Sequence, residues 1–161
     1  CDGASRRVDT LTKTIESPET EDVRAVLLRH LQLMRDGSPE ESCHVMDPDS
    51  LMDAGVVLLG VRRAGQLLAI GGLKQLATDH AELKSMHTVA EARGLGAGKF
   101  LLTALLDHAR MSGFSQISLE TGTAEMFKPA QNLYLGQGFI ECPPFDEYIP
   151  DPLSVFMTRR I

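Results

Sequence analysis

Apolar positions along the chain change their spacing several times, and each change marks an element. From Pro18 to Arg35, Val23, Val26, Leu27, Leu31 and Met34 recur at helical spacing. Ser17 is placed to cap this helix, Pro18 suits its first position, and three acids follow in the first turn. The stretch Ser38 to Asp53 is polar, contains Pro39 and Pro48, and has room for one short helix. Val56–Arg63 and Gln66–Leu76 read as strands, and the tight Arg63-Ala64-Gly65 turn between them predicts a hairpin. Ala81 to Val89 sets Leu83, Met86 and Val89 against polar residues and reads as a third strand.

Leu101, Leu102, Leu105 and Ala109 form a helical stripe from Gly98 to Ser112, which stops at Gly113. Phe114 to Glu120 alternates Ile117 and Leu119 with Gln116 and Ser118, the pattern of a strand. Ala124 to Gln137 carries Phe127, Ala130, Leu133 and Tyr134 at helical spacing, but Pro129 falls inside it. The helix is therefore expected to begin at or just before that proline. Gly138-Phe139 opens another strand, and Leu153 to Arg160 supplies the last. The order β, α, β-hairpin, β, α, β, α, β, β predicts an α/β fold with mixed pairing.

Composition narrows the function. At 161 residues the chain fits one domain, spanning 11–161, with Cys1 to Thr10 as an irregular or appended segment. A net charge of −6 and no run of Lys or Arg leave no basic face for phosphate backbones, so nucleic acid is not an expected partner. The acidity would mildly favour a cationic substrate such as an amine, and is also what a soluble surface carries. No apolar run approaches the roughly 18 to 20 residues that cross a bilayer, so no membrane partner is expected. Three cysteines without C-x-x-C spacing argue against a disulfide framework and for a reducing cytoplasm. Five histidines show no ligand spacing on a helix, so no metal is indicated.

The chemistry concentrates in Arg93-Gly94-Leu95-Gly96-Ala97-Gly98-Lys99, which follows the strand Ala81–Val89 and opens a helix. Glycines let the backbone approach a ligand closely, and a helix start aims unpaired N–H groups at one point. Arg93 and Lys99 add positive charge, so the segment suits a pyrophosphate. A Walker loop is excluded because Phe100 follows Lys99. The dinucleotide fingerprint G-x-G-x-x-G is closer, with Glu120 where a ribose-binding acid would stand. Its third glycine should fall at Lys99, however, and too little chain remains for a second mononucleotide half.

At these residues the chain resembles the GNAT superfamily of N-acetyltransferases. Arg93, Gly96 and Gly98 fill the signature R/Q-x-x-G-x-G/A. Glu82 to Val89 resembles the family's central strand and Leu119-Glu120-Thr121-Gly122 the next one. Ala130, Leu133-Tyr134 and Gly138-Phe139 follow A-x-x-L-Y-x-x-x-G-F. The resemblance covers roughly Ala81 to Phe139. It implies a mostly antiparallel sheet flanked by helices, splayed between two central parallel strands, and transfer of acetyl from acetyl-CoA to an amine without a covalent enzyme intermediate.

The family places the pyrophosphate on the amides of Arg93, Gly94, Leu95, Gly96, Ala97, Gly98 and Lys99. The pantetheine arm would pair with the main chain of Met86 and Thr88. Tyr134 matches the tyrosine that often protonates the departing thiolate, although it also reads as a core aromatic of a helix face. Amines are protonated at neutral pH, so a base is needed. Glu82 on the central strand and Glu120 at the end of the next are the candidates, with His87 a further one. Either acid also reads as an ordinary strand residue.

The sequence departs from the family at Phe127, where relatives commonly carry Asn. The acceptor side is the family's most variable part; Cys43, His44 and Asp47 lie in it. The acceptor is left open between a small-molecule and a protein amine, as is a homodimer. Two other functions stay in view: an acyl-CoA-binding module without turnover, and a dinucleotide-binding oxidoreductase domain.

Overall fold

The structure is a computed structural model that describes residues 10–37 and 46–161. The elements are β1 (Thr12–Glu16), α1 (Glu21–Gly37), α2 (Pro48–Asp53), β2 (Val57–Arg63), β3 (Gln66–Ala77), β4 (His80–Thr88), α3 (Ala97–Met111), β5 (Gln116–Gly122), α4 (Lys128–Gly136), β6 (Ile140–Glu141) and β7 (Ser154–Arg160). Short 3-10 turns at Ala90–Ala92 and Glu125–Phe127 lead into α3 and α4. Seven strands form one sheet in the order β1-β2-β3-β4-β5-β7-β6. Every neighbouring pair is antiparallel except β4 and β5. This is the mixed, mostly antiparallel α/β architecture that the resemblance implies.

The predicted hairpin is present. Arg63 stands opposite Gln66, and Ala64 and Gly65 between them have φ of 53° and 80°. A two-residue loop with both central φ positive matches the twist of its strands. The leading strand of the predicted order is β1, the sheet's edge. Arg62 on β2 ties it to α1, donating from Nε to Glu16 at 2.7 Å and from Nη1 to Asp22 at 2.6 Å. That guanidinium holds the Glu16 carboxyl below its ordinary range.

Helices cover both faces. Met86 and His87 are consecutive on β4 and so point to opposite faces. Met86 meets the α3 side, where Gly71 leaves room for it beside Leu101 and Leu105. His87 meets His30 of α1. The core between α3 and the sheet is built from the predicted stripe, with Leu101, Leu102, Leu105 and Ala109 fully enclosed. On α1, Val23 and Leu27 of the predicted apolar face are buried.

Several boundaries differ from expectation. α1 starts at Glu21, not Pro18: the Thr20 N–H donates to the Ser17 carbonyl at 3.1 Å and the Glu19 N–H to Ser17 Oγ at 3.2 Å. Ser17 thus closes a turn before the helix, and the first helical bond runs from the Arg24 N–H to the Thr20 carbonyl at 2.8 Å. The short helix in the polar link is α2, and Asp47 caps it, its Oδ1 accepting from the Ser50 N–H at 2.7 Å. Cys43 and His44 lie outside the described residues. β5 begins later than Phe114, because the Ser115 and Gln116 N–H groups turn to the Asp79 carbonyl. Pro129 is in the first turn of α4, where its missing N–H costs no helical bond. The strand predicted after Gly138-Phe139 is the two-residue β6.

The feature that positions the site is the contact between β4 and β5. Their parallel pairing covers only His80–Glu82 against Gln116–Ser118, after which the strands part. β4 then bulges: Ser85 has φ 58°, and the register against β3 skips between Ile70 and Gly72. A bulge bends a strand and ends regular pairing locally.

Candidate active site

Where β4 and β5 separate, a cleft of about 1030 Å³ opens between them. It is lined by β4 from Glu82 to Thr88, by the loop into α3, by the end of β5, and by α4 through Ala130, Leu133 and Tyr134. The sequence-predicted residues Glu82, Met86, Thr88, Arg93, Gly94, Gly96, Ala97, Gly98, Lys99, Glu120 and Tyr134 all line this one cavity, as does His87. Leu95 is not among the lining residues; its side chain is exposed.

At one end of the cleft stands the glycine loop. Gly96 precedes α3 with φ 79° and no side-chain cap, so the first-turn N–H groups face outward without a side-chain partner. A Cβ at Gly96 would touch nothing, so backbone conformation, not space, demands glycine there. At Gly98 the demand is the reverse: a Cβ would come within 3.2 Å of Thr88 Oγ1 and 3.5 Å of Leu133 Cδ2. This glycine lets α3 approach β4 and α4 closely. Arg93 and Lys99 are exposed at the rim.

The titratable groups lie deeper. Glu82 is 2% exposed. Its Oε2 accepts from the Tyr148 hydroxyl at 2.5 Å and from Lys84 Nζ at 3.5 Å, while Lys84 Nζ also donates to the Tyr148 hydroxyl at 3.1 Å. Glu120 is different. Burial pushes its carboxyl up to about 7, an effect that the Ser154 hydroxyl and Lys84 oppose and that Glu82 and Asp151 reinforce. Tyr134, 5% exposed, packs its ring against Phe139 with centroids 5.8 Å apart. Burial, reinforced by the nearby Glu120 charge, raises its phenol well above the ordinary range, so it keeps its proton at neutral pH.

On the α1 side, His30 Nδ1 and His87 Nδ1 are 3.2 Å apart, so one ring donates and the other accepts. Burial, then the neighbouring His87, takes His30 down to about 3; burial and then Arg93 and Arg29 lower His87. Both imidazoles are neutral at pH 7. Phe127, in place of the family's usual Asn, is buried and packs so tightly on Gly122 that a Cβ there would overlap its ring. Gln131 Nε2 donates to the Gly122 carbonyl at 2.6 Å and so closes the end of β5. Among the described residues no group of three metal-ligating side chains comes together.

Sequence reasoning missed Tyr148, Lys84 and His30. Tyr148 sits in the irregular stretch 142–153, where no period points to it. Lys84 and His30 were readable only as members of a strand and a helix, since Tyr148 and His87, which they meet, are distant in sequence.

The profile of the acetyltransferase (GNAT) family matches residues 25–139. The chain is 37% identical over 139 residues to the uncharacterized N-acetyltransferase YsnE of Bacillus subtilis, covering 86% of this chain and 92% of that protein. It is 34% identical over 147 residues to an IAA acetyltransferase of Azospirillum brasilense, covering 91% and 95%. A GNAT family acetyltransferase from Elizabethkingia anophelis, solved with acetyl-CoA bound, has the same fold with a TM-score of 0.70 at 16% identity, over 95% of this chain and 99% of that one. The chain belongs to the GNAT family of acetyltransferases. Its sheet, antiparallel but for one pair, is not the doubly wound parallel sheet that a dinucleotide-binding domain would need.

The Glu120 environment has a consequence for stability. An unfolded glutamate ionises near 4.5, whereas the folded one does so near 7. Below 4.5 both states are protonated and nothing is lost. Between these values the folded chain holds a proton that the unfolded chain releases, so stability falls as pH rises, and the full cost applies above 7. Glu120→Gln should therefore raise stability at pH 8 by about 1 to 3 kcal/mol and leave it unchanged at pH 4. Urea unfolding at the two pH values checks this; an equal gain at both would show that the charge is not the cause.

Proposed function

We propose that this protein transfers the acetyl group of acetyl-CoA to an amine by direct attack in the β4–β5 cleft. The observation that carries the reading is the parting of these two strands with the glycine loop at the mouth and two ionisable groups, Glu120 and Tyr134, within. Beyond Glu82 the edge of β4 facing β5 has no strand partner. An amide-bearing arm such as pantetheine can add there as a strand would, at Met86 and Thr88. The uncapped first turn of α3, with Arg93 and Lys99, fits the pyrophosphate.

Of the two acids, Glu120 is the better base. Glu82 already accepts two hydrogen bonds on Oε2, whereas Glu120 exchanges its proton near neutral pH. Glu120 takes a proton from the bound ammonium, and the freed nitrogen lone pair attacks the thioester carbonyl. The tetrahedral oxyanion collapses, the C–S bond breaks, and the departing thiolate takes the Tyr134 phenolic proton. The nitrogen sheds its second proton as the amide forms, which restores Tyr134. The resident pairing of His30 with His87 leaves His87 outside this sequence.

CoA should stabilise the wild-type protein in a thermal shift while NAD does not; at 100 times its dissociation constant it contributes about 2.7 kcal/mol. Gly96→Val should fold but lose the CoA shift, because a β-branched residue resists φ 79° at the loop's turning point. A folded variant with an unaltered CoA shift would remove the loop from the binding site.

Tyr134→Phe should lower kcat by about 100- to 10,000-fold, the usual range for a lost general acid, with CoA affinity nearly unchanged. A raised KM at full kcat in steady-state thiol-release assays would make Tyr134 a packing residue instead. Glu120→Gln should abolish the acid limb of the kcat/KM profile, which in the wild type should have its midpoint near 7. An acid limb that survives the substitution would assign the base elsewhere.

A further inference from the structure

We infer that Tyr148 is a positioning residue for acyl transfer: its hydroxyl holds Glu82 in place while its ring helps wall Glu120 off from water. Of the two buried candidates, Glu82 and Glu120, only Glu120 is then left to handle the acceptor's proton. The inference rests on the reading of Glu120 as the base.

The geometry begins with the stretch 142–153 between β6 and β7. The Tyr148 N–H donates to the Phe145 carbonyl at 3.1 Å, and Asp146 takes φ 53°, so the chain turns sharply between the two rings. The rings are 5.1 Å apart by centroid, and each also meets Phe156 of β7, at 5.9 Å for Phe145 and 5.4 Å for Tyr148. Phe145 further touches His80 at the start of β4. Three aromatic rings thus anchor an otherwise irregular segment to the sheet.

Phe156 stands directly opposite Glu120 in the β5–β7 register. Directly paired residues of antiparallel strands present their side chains on the same face. The ring cluster therefore lies on the Glu120 face of the sheet, and of its three rings Tyr148 lines the cleft. Glu82 lies on the neighbouring strand, its Oε2 taken by the Tyr148 hydroxyl and Lys84. Tyr148 thus binds Glu82 with its hydroxyl and packs its ring on Phe156, the residue opposite Glu120. Pairs of acids held in contrasting environments are a recurrent way of giving two carboxyls two roles. The other ionisable groups felt by Glu120 or facing the cleft are Lys84 and His87 of β4, His30 of α1, Arg93 and Lys99 of the glycine loop, Glu125, Tyr134 of α4, and Asp151 of the same stretch.

The test separates ring from hydroxyl. Protein labelled with ¹³C at the glutamate carboxyl is titrated by NMR, with the Glu120 signal identified by its absence in Glu120→Gln, and kcat/KM is measured over the same pH range. Tyr148→Ala should lower the Glu120 midpoint by about one pH unit or more as water enters, and the acid limb should follow. Tyr148→Phe, which keeps the ring, should leave that midpoint in place. Phe145→Ala, which unpins the ring from its other side, should act in the direction of Tyr148→Ala and serves if that variant does not fold. A Glu120 signal unmoved in folded Tyr148→Ala overturns the role of Tyr148, while loss of the acid limb in Glu120→Gln would still keep Glu120 as base. A signal that moves while the rate profile does not overturns Glu120 as base, and with it any part for Tyr148 in the reaction.

Discussion

The molecule is organised around two parallel strands that share only three residue pairs. Parallel neighbours cannot be joined by a tight turn, so β4 and β5 must be linked by a crossover, and α3 provides it. The start of that crossover helix necessarily lies at the end of β4, which is where the glycine loop stands. The bulge at Ser85 and the early end of pairing at Glu82 then open the space beside it. Loop, free strand edge and cleft are thus consequences of one topological fact rather than separate inventions.

Burial divides the ionisable groups of the cleft by what surrounds each one. Glu82 is the more enclosed of the two acids, yet it has a hydroxyl and an ammonium for company. Glu120 is less enclosed but borders an aromatic surface, and desolvation dominates there. The phenol of Tyr134 and the His30–His87 pair are likewise held in their neutral forms by loss of water. Under the proposed reaction, that loss of water would strengthen the hold of hydrogen-bond donors and dipoles on a developing oxyanion.

Most of the loop side of the cleft was legible because it is written in local pattern. The Leu101–Leu102–Leu105 stripe, the spacing of Arg93, Gly96 and Gly98, and the Leu133-Tyr134…Gly138-Phe139 run each depend on residues close in sequence. Ser17 misled because the same residue types that cap helices also close turns, and the choice rests on one backbone bond at Thr20. β6 is present but short, because its partner β7 lies across twelve irregular residues and only two positions find register. Tyr148 was invisible for a deeper reason: its hydroxyl meets Glu82 across 66 positions of chain, and no period or motif records such a contact. Phe127, noted as a departure from the family pattern, packs against Gly122.

The two halves of the cleft are also held by different kinds of bond. The loop and the β4 edge would hold a ligand through main-chain groups, which substitution of most side chains leaves untouched. On the opposite side the segment 142–153 is held at its ends by main-chain bonds, such as the Cys142 N–H to the Phe156 carbonyl, and in its middle by the Phe145 and Tyr148 rings and the Tyr148 hydroxyl. Substitution therefore bears on the two halves unequally. A change within 142–153 would be felt through the Phe145 and Tyr148 rings, whereas most changes in the loop would leave its main-chain groups where they are.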